Sequence, residues 1–289
     1  MVTRFTFEWT DMFLIFRKAK LQKQIVLFLK EKGKLKVTIL GSGTSQGVPV
    51  IACDCYVCIS EDPKDNRLRC SILLSEGDKN FVIDSGPDFR QQMLRANVQS
   101  LEAIIFTHHH KDHVAGLDDV RAFNFKQKMD MPIYCDFAVE EALRREFQYV
   151  FEANSYPGIP KVDIIHIDKN QSFKIAEDIE LIPIEVMHHK MLVLGFRYKK
   201  FTYITDANFI SEEEKQKIKG TEILIVNALR KTEHVSHFNL QQALDFIAEI
   251  NPTQAYLTHI SHLMGTHEET LKELPPNVSV AYDGMSIEL

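Results

Sequence analysis

Positive charge is in short supply in this chain: 34 Lys and Arg stand against 40 Asp and Glu, a net charge of −6. That excludes a general electrostatic grip on nucleic acid. Cysteine is scarce too, at five. An odd count, with Cys53, Cys55 and Cys58 crowded together and Cys70 and Cys135 alone, excludes a secreted disulfide framework. Metal ligation in a reducing, cytoplasmic compartment fits better. Long apolar runs are also missing from the N-terminal segment. Phe5, Phe7, Trp9, Phe13, Ile15 and Phe16 run straight into Arg17, Lys18, Lys20 and Lys23. No window there reaches the ~18 uncharged apolar residues of a membrane-spanning helix. Glu8 and Asp11 precede the basic residues, the wrong order for a secretory signal. Repeats, low-complexity tracts and linkers are absent as well.

What the chain does have is Thr107-His108-His109-His110-Lys111-Asp112-His113, directly after the apolar run Ala103-Ile104-Ile105-Phe106. The run has the length and branching of a buried strand, so the imidazoles stand at a strand's C-terminal end. His108 and His110, two apart on extended backbone, project to one side. Asp112 and His113 fall on the turn and point elsewhere. The group therefore divides into two half-sites, as two metal ions a few ångströms apart require. A solvated charged loop is the bland alternative, and four ligand-type residues in six positions argue against it. Later strand ends offer His188 or His189, Asp206 and His259. Taken alone, Asp206 reads as a strand-end turn residue.

With 45% hydrophobic residues the chain can bury one large core. Strands are expected at 35–40, 71–75, 80–84, 103–106 and 132–135, and again at 223–227 and 255–258. Residues 164–203 read as strand-rich. Helices are expected at 88–97, 117–126, 139–150, 212–218 and 240–250, the last with Asn239 as N-cap. Residues 41–69 form a long loop. Mixed strands with interspersed helices suit an α/β αββα sandwich, two packed sheets flanked by helices. The expected organisation is an N-terminal extension, 1–34, followed by a single domain, 35–289. The extension is read as poorly ordered or as an over-early start assignment, with a helix at 21–30 as the alternative.

Five stretches together carry a family resemblance from about Lys36 onward: Gly41-Ser42-Gly43-Thr44-Ser45-Gln46-Gly47-Val48-Pro49, Cys53-x-Cys55-x-x-Cys58, the His-x-His-x-Asp-His motif, Thr258-His259-Ile260-Ser261-His262, and Asp283-Gly284-Met285. On these the chain resembles the metallo-β-lactamase-fold hydrolases. Among them it is most similar to the phosphoribosyl 1,2-cyclic phosphate phosphodiesterases of phosphonate breakdown. The resemblance implies a ligand set of His108, His110 and His188 for one divalent ion. Asp112, His113 and His259 hold the other, and Asp206 bridges. Distance from Lys190 points to His188, whereas spacing to Gly195 points to His189; His188 is preferred. Either zinc or manganese accepts these donors.

Cys53, Cys55 and Cys58 have the spacing of a structural zinc site short of one ligand, and the resemblance supplies His262. Such a zinc would pin the long loop to the strand end carrying His259. The resemblance makes His237 the general acid, a role suited to a side chain titrating near neutrality. Asp84 reads as a carboxylate orienting a ligand histidine. Two cations sharing a water lower its pKa, so that hydroxide is available at neutral pH as nucleophile. The implied reaction opens 5-phosphoribose 1,2-cyclic phosphate to ribose 1,5-bisphosphate. Arg67, Arg69, Arg121 and Lys190 are candidates for the remote phosphate, each singly more at home as ordinary surface charge. The expected partner is a small phosphodiester, with no membrane and no nucleic acid, and a homodimer is an open alternative to a monomer. Two rival readings are a nuclease of the same fold, which would want a basic RNA-gripping arm, and a metal-bound biosynthesis or carrier protein like pyrroloquinoline-quinone biosynthesis B.

Overall fold

The structure, a computed structural model, describes residues 35–152 and 156–289. The N-terminal extension and its alternative helix lie outside them. Strands β1 (Lys36–Gly41), β2 (Ser71–Glu76), β3 (Lys79–Ile83), β4 (Ala103–Ile105), β5 (Met131–Cys135) and β6 (Val162–His166) come first. Then follow β7 (Phe173–Lys174), β8 (Glu180–His188), β9 (Met191–Tyr198), β10 (Phe201–Tyr203), β11 (Ile223–Asn227), β12 (Gln254–Thr258), β13 (Val278–Val280) and β14 (Ser286–Glu288). They form two seven-stranded sheets, ordered β14-β1-β2-β3-β4-β5-β6 and β13-β12-β11-β10-β9-β8-β7. Each sheet is antiparallel in its first half and parallel from β3 to β6 and from β10 to β13.

Period-2 alternation sorts side chains between the layers. Phe81 and Ile83 of β3, Ala103 and Ile105 of β4, Phe201 and Tyr203 of β10 and Ile225 of β11 meet in one core between the sheets. The alternate residues Val82 and Ile104 face outward, onto helices α1 (Phe89–Arg95) and α3 (Arg121–Gln127). Leu224 and Val226 face outward onto α7 (Leu240–Ile250). The remaining helices are α2 (Lys111–Val114), α4 (Phe137–Glu146), α5 (Gln148–Phe151), α6 (Glu212–Ile218) and α8 (His267–Lys272). The result is the expected αββα sandwich. Each fully buried Leu, Ile or Phe in these layers contributes roughly 1.5–3 kcal/mol.

Differences from the sequence reading are local. The expected helix 139–150 breaks at Phe147 into α4 and α5, and it starts two residues earlier because Asp136 caps the Val139 N–H. The segment 117–126 opens as a 3-10 turn, Leu117–Val120, before α3. Asp112 and His113 lie in the short helix α2 rather than on a turn. Elements α8, β13 and β14 were not foreseen. β14 pairs antiparallel with β1 and completes the first sheet. Asn239 caps α7 in a reciprocal capping box with Gln242, as its position suggests.

Candidate metal centre

The candidate site lies where the C-terminal ends of β4, β8, β10 and β12 meet, so both sheets contribute. Three of its neighbouring strand-end residues adopt left-handed backbone: Asp84 (φ 66), Asp206 (φ 56) and His259 (φ 57). Each costs about 1–2 kcal/mol for a residue with a Cβ. Three such residues around one point concentrate strain where a functional geometry has to be held. Backbones also come unusually close there. A Cβ on Gly86 would lie 2.0 Å from the Asp112 carbonyl oxygen, and one on Gly116 would lie 2.2 Å from the Gly86 oxygen. Only glycine at both positions lets the loop after β3 seat against the motif.

Hydrogen bonds fix the ring tautomers. Asp84 is wholly buried and accepts three donors: the Thr107 N–H at 2.8 Å, the Thr107 hydroxyl at 2.8 Å, and His113 Nδ1–H at 2.7 Å. The Thr107 hydroxyl has one proton, and it goes to Asp84. Its contact with His108 Nδ1 at 2.9 Å must therefore be accepted from that ring. His188 Nδ1–H donates to the Ser236 carbonyl at 2.7 Å. In His108, His113 and His188 alike, the second nitrogen, Nε2, is left as the lone-pair atom facing the centre.

Several ring nitrogens at the centre have no hydrogen-bond partner. His108 Nε2, His113 Nε2, His237 Nδ1 and both nitrogens of His259 are buried and unsatisfied. His113 Nε2 lies 3.2 Å from Asp112 and 3.3 Å from Asp206, and His259 Nε2 lies 3.2 Å from Asp206. The spacing is that of ion pairs, yet none of these oxygens is aligned with a ring nitrogen. Atoms bound to one tetrahedral zinc at about 2.0–2.2 Å stand about 3.3–3.6 Å apart. The donors thus surround a shared point instead of pairing with one another, and the residues fit a divalent cation.

Two tight groups of donor atoms emerge: Asp112, His113, Asp206 and His259, and His188, Asp206 and His237. They share Asp206. His108 and His110 flank the second group, with His110 4.7 Å from the His108 ring and 5.1 Å from the His188 ring. Of the two neighbours, His188 is buried at the centre, and His189 is exposed, on left-handed backbone (φ 57). His237 is buried, stacked 4.8 Å from His259 and tilted against His188 at 4.5 Å. It reaches the centre more closely than a residue outside the ligand set would need to.

Without a cation, protons balance the carboxylates. Burial opposes charge on His259, but Asp206 and Asp112 outweigh it and push its pKa up to about 10. His113 is held well above the ordinary imidazole value in the same way, by Asp112, Asp206 and Asp84 against burial. His237 goes the other way, down to about 3, through burial and then the charge of His259.

The cysteine loop forms a second cluster. Cys53, Cys55 and Cys58 place their sulfurs 3.3, 3.4 and 3.5 Å from one atom, His262 Nδ1. Atoms about 2.3 Å (sulfur) and 2.0 Å (nitrogen) from a tetrahedral zinc are separated by about 3.5 Å, so this set also fits. The loop is tied to the His259 segment by backbone bonds, Thr44 N–H to the Ile260 carbonyl and Ile260 N–H to the Ser42 carbonyl. Asp283 accepts from the Ser42 and Leu68 N–H groups and secures the loop's two ends.

Some sequence candidates are occupied elsewhere. Arg67 is buried and donates to Ser42 and the Ala281 carbonyl. Arg69 pairs with Asp88 at 3.1 Å, and Arg121 with Asp118 at 3.4 Å. Lys190 is exposed on the β8–β9 turn. Thr107, Ser236 and Asp283 were given no role from sequence. The only available signals were a hydroxyl beside a ligand histidine and the unexplained closing Asp-Gly-Met.

Comparisons with known proteins place the chain in a family. Residues 79–260 match the family model described as beta-lactamase superfamily domain. A solved structure titled as a new diphosphatase from the PhnP family is 35% identical, covering 89% of this chain and 97% of its own, with a TM-score of 0.83. Zinc-bound PqqB from Methylobacterium extorquens shares the fold at 19% identity, covering 88% of this chain and all of its own, with a TM-score of 0.72. A curated octanoyltransferase from Porphyromonas gingivalis is 38% identical over 253 residues, 87% of this chain, and the chain spans about half (51%) of that relative's length. The chain belongs to the beta-lactamase superfamily, as a metallo-β-lactamase-fold member of the PhnP kind.

Proposed function

We propose that residues 35–289 form one dinuclear metal-dependent phosphoric diester hydrolase domain acting on a small molecule. The observation that carries this reading is the sharing of Asp206 by two donor groups. In this reading His108, His110 and His188 would hold one ion, Asp112, His113 and His259 would hold the other, and Asp206 belongs to both groups. Bound ions would supply Lewis acidity and lower the pKa of a nucleophilic water. The chain's own residues do the rest. Asp84 and Thr107 keep the rings in one tautomer. His237 stands over the centre as the general acid for the departing oxygen. Its low pKa would rise beside an anionic phosphoryl group, because opposite charge favours imidazolium. Cys53, Cys55, Cys58 and His262 hold a structural zinc that keeps the loop against His259.

Zinc or manganese suits the catalytic pair, and 5-phosphoribose 1,2-cyclic phosphate is the first substrate to assay. Unpaired, buried Cys70 and Cys135 suit a reducing, cytoplasmic setting. No helix among the described residues is long and apolar enough to cross a membrane. The acyl-transfer name of the P. gingivalis protein attaches to a chain about twice as long. Neither isolated cysteine here is placed to accept an acyl group. Cys70 is buried against Tyr203 and Thr258, and burial pushes the Cys135 thiol up to about 12.

The test is hydrolysis of bis-p-nitrophenyl phosphate and of the cyclic phosphate by protein loaded with manganese or zinc, alongside Asp206→Ala. Turnover that falls by orders of magnitude in the variant, with the fold retained, is expected. No turnover with any divalent metal would favour a metal-bound carrier, and a near-normal rate in Asp206→Ala would sink the dinuclear assignment.

A further inference from the structure

The centre uses the ends of β4 and β8; on the neighbouring strands, the residues that follow β5 and those that open β9 line a cavity of about 520 Å³. Its lining includes Phe137, His166, Ile167, Leu192 and Leu194. The two sites are joined through backbone. The Leu194 N–H donates to the Thr107 carbonyl at 3.0 Å, next to His108. Leu192 and Met191 lie across from Met187 and His188 in the β8–β9 register.

The cavity's chemistry differs from what a phosphate needs. Its lysine, Lys169, is ion-paired with Glu185. Asp136 and Asp168 line it too, and both accept nearby backbone N–H groups. Beside this anionic rim stand exposed apolar side chains. Phe137 is 71% exposed although it opens α4 beside the core, and Leu192 is 42% exposed. The Phe137 ring packs on His166 with centroids 3.9 Å apart and planes tilted by 32°, and His166 is fixed by Glu140 at 2.5 Å. An already ordered aromatic pair, with its outer surface open, is a platform for a flat ring.

We propose that this cavity is the subsite for a planar aromatic ring, of the nucleobase kind, carried by the substrate whose phosphoryl group lies at the metal centre. The inference rests on the phosphodiesterase reading above. It deepens that reading by giving the substrate an aromatic substituent in place of a second phosphate. Carboxylates at the rim suit the N–H edge of a heteroaromatic ring and repel a phosphate.

The test compares AMP with ribose 5-phosphate, two monoesters that differ in the base, by calorimetric titration of manganese-loaded protein. AMP should bind about tenfold more tightly, the worth of one stacking contact. Phe137→Ala should remove most of that advantage and leave ribose 5-phosphate affinity unchanged, and Leu192→Ala should reduce it in part. Equal affinity for the two monoesters in the unmodified protein would overturn the proposal, as would an AMP advantage that survives Phe137→Ala. Failure of both to bind, with no turnover of bis-p-nitrophenyl phosphate, would instead overturn the reading beneath it and the subsite with it.

Discussion

Asp84 accepts the Nδ1–H of His113 at 2.7 Å with both side chains wholly removed from solvent. The bond forces the lone pair of His113 onto Nε2, the nitrogen that faces Asp112 and Asp206. Ring orientation, tautomer and basicity are thus set one residue away from the centre.

Removing that support without removing any donor is informative. Asp84→Asn should weaken metal binding about 10–100-fold and lower turnover with it, since an amide offers one acceptor where the carboxylate serves three donors. Competition with a metallochromic chelator measures the affinity. A variant that binds metal as the natural protein does would show that Asp84 only packs.

His237→Ala separates proton donation from metal holding. If His237 is the general acid and not a ligand, metal content stays intact. Cleavage of diesters with poor leaving groups should then slow by ~10²–10⁴-fold. Release of p-nitrophenolate, already stable as an anion, should suffer much less. Metal loss on substitution would make His237 a ligand, an outcome its grouping with His188 and Asp206 keeps open to experiment. Equal slowing of both substrate types with metal retained would make it a phosphate-positioning residue.

Cys55→Ser tests the loop. One equivalent of zinc should vanish from elemental analysis, with a lowered Tm and secondary damage to turnover, because the loop is bonded to the His259 segment. Unchanged zinc content would rule the cysteines out as ligands.

The metal-stripped centre should respond to pH in a set direction. His259 has its folded pKa raised to about 10. The stability it contributes is therefore complete below its ordinary value near ~6.5 and is lost as pH rises through about 10. Metal-stripped protein should lose thermal stability across that window. Metal uptake runs oppositely: a cation must displace the His259 proton, so apparent affinity should climb about tenfold per pH unit for that proton. Melting curves at pH 6, 8 and 10, with and without manganese, check both signs. A Tm of stripped protein that rises across the window would contradict the assignment.

The sequence by itself determined the sandwich and which side chains are of a kind to hold metal. Apolar alternation in residues 71–83 and 223–227 is written in adjacent positions, so each strand and its buried face are local facts. The same holds for His108 to His113, for Cys53 to Cys58, and for Asn239 at its helix start, where short spacing carries the signal. Three-residue strands such as β13 and β14 are too short to show a period, and β14 forms only by pairing with β1, some 250 residues upstream. Tertiary structure alone decided how the donors converge. It buries His188 beside the centre and leaves His189, on left-handed backbone, exposed to solvent. It tied Arg67 into the loop and put Asp206 into both donor groups. It also set an aromatic cavity beside the centre. Those relationships depend on the register of two sheets packed against each other, and no spacing along a single chain encodes a distance across that interface.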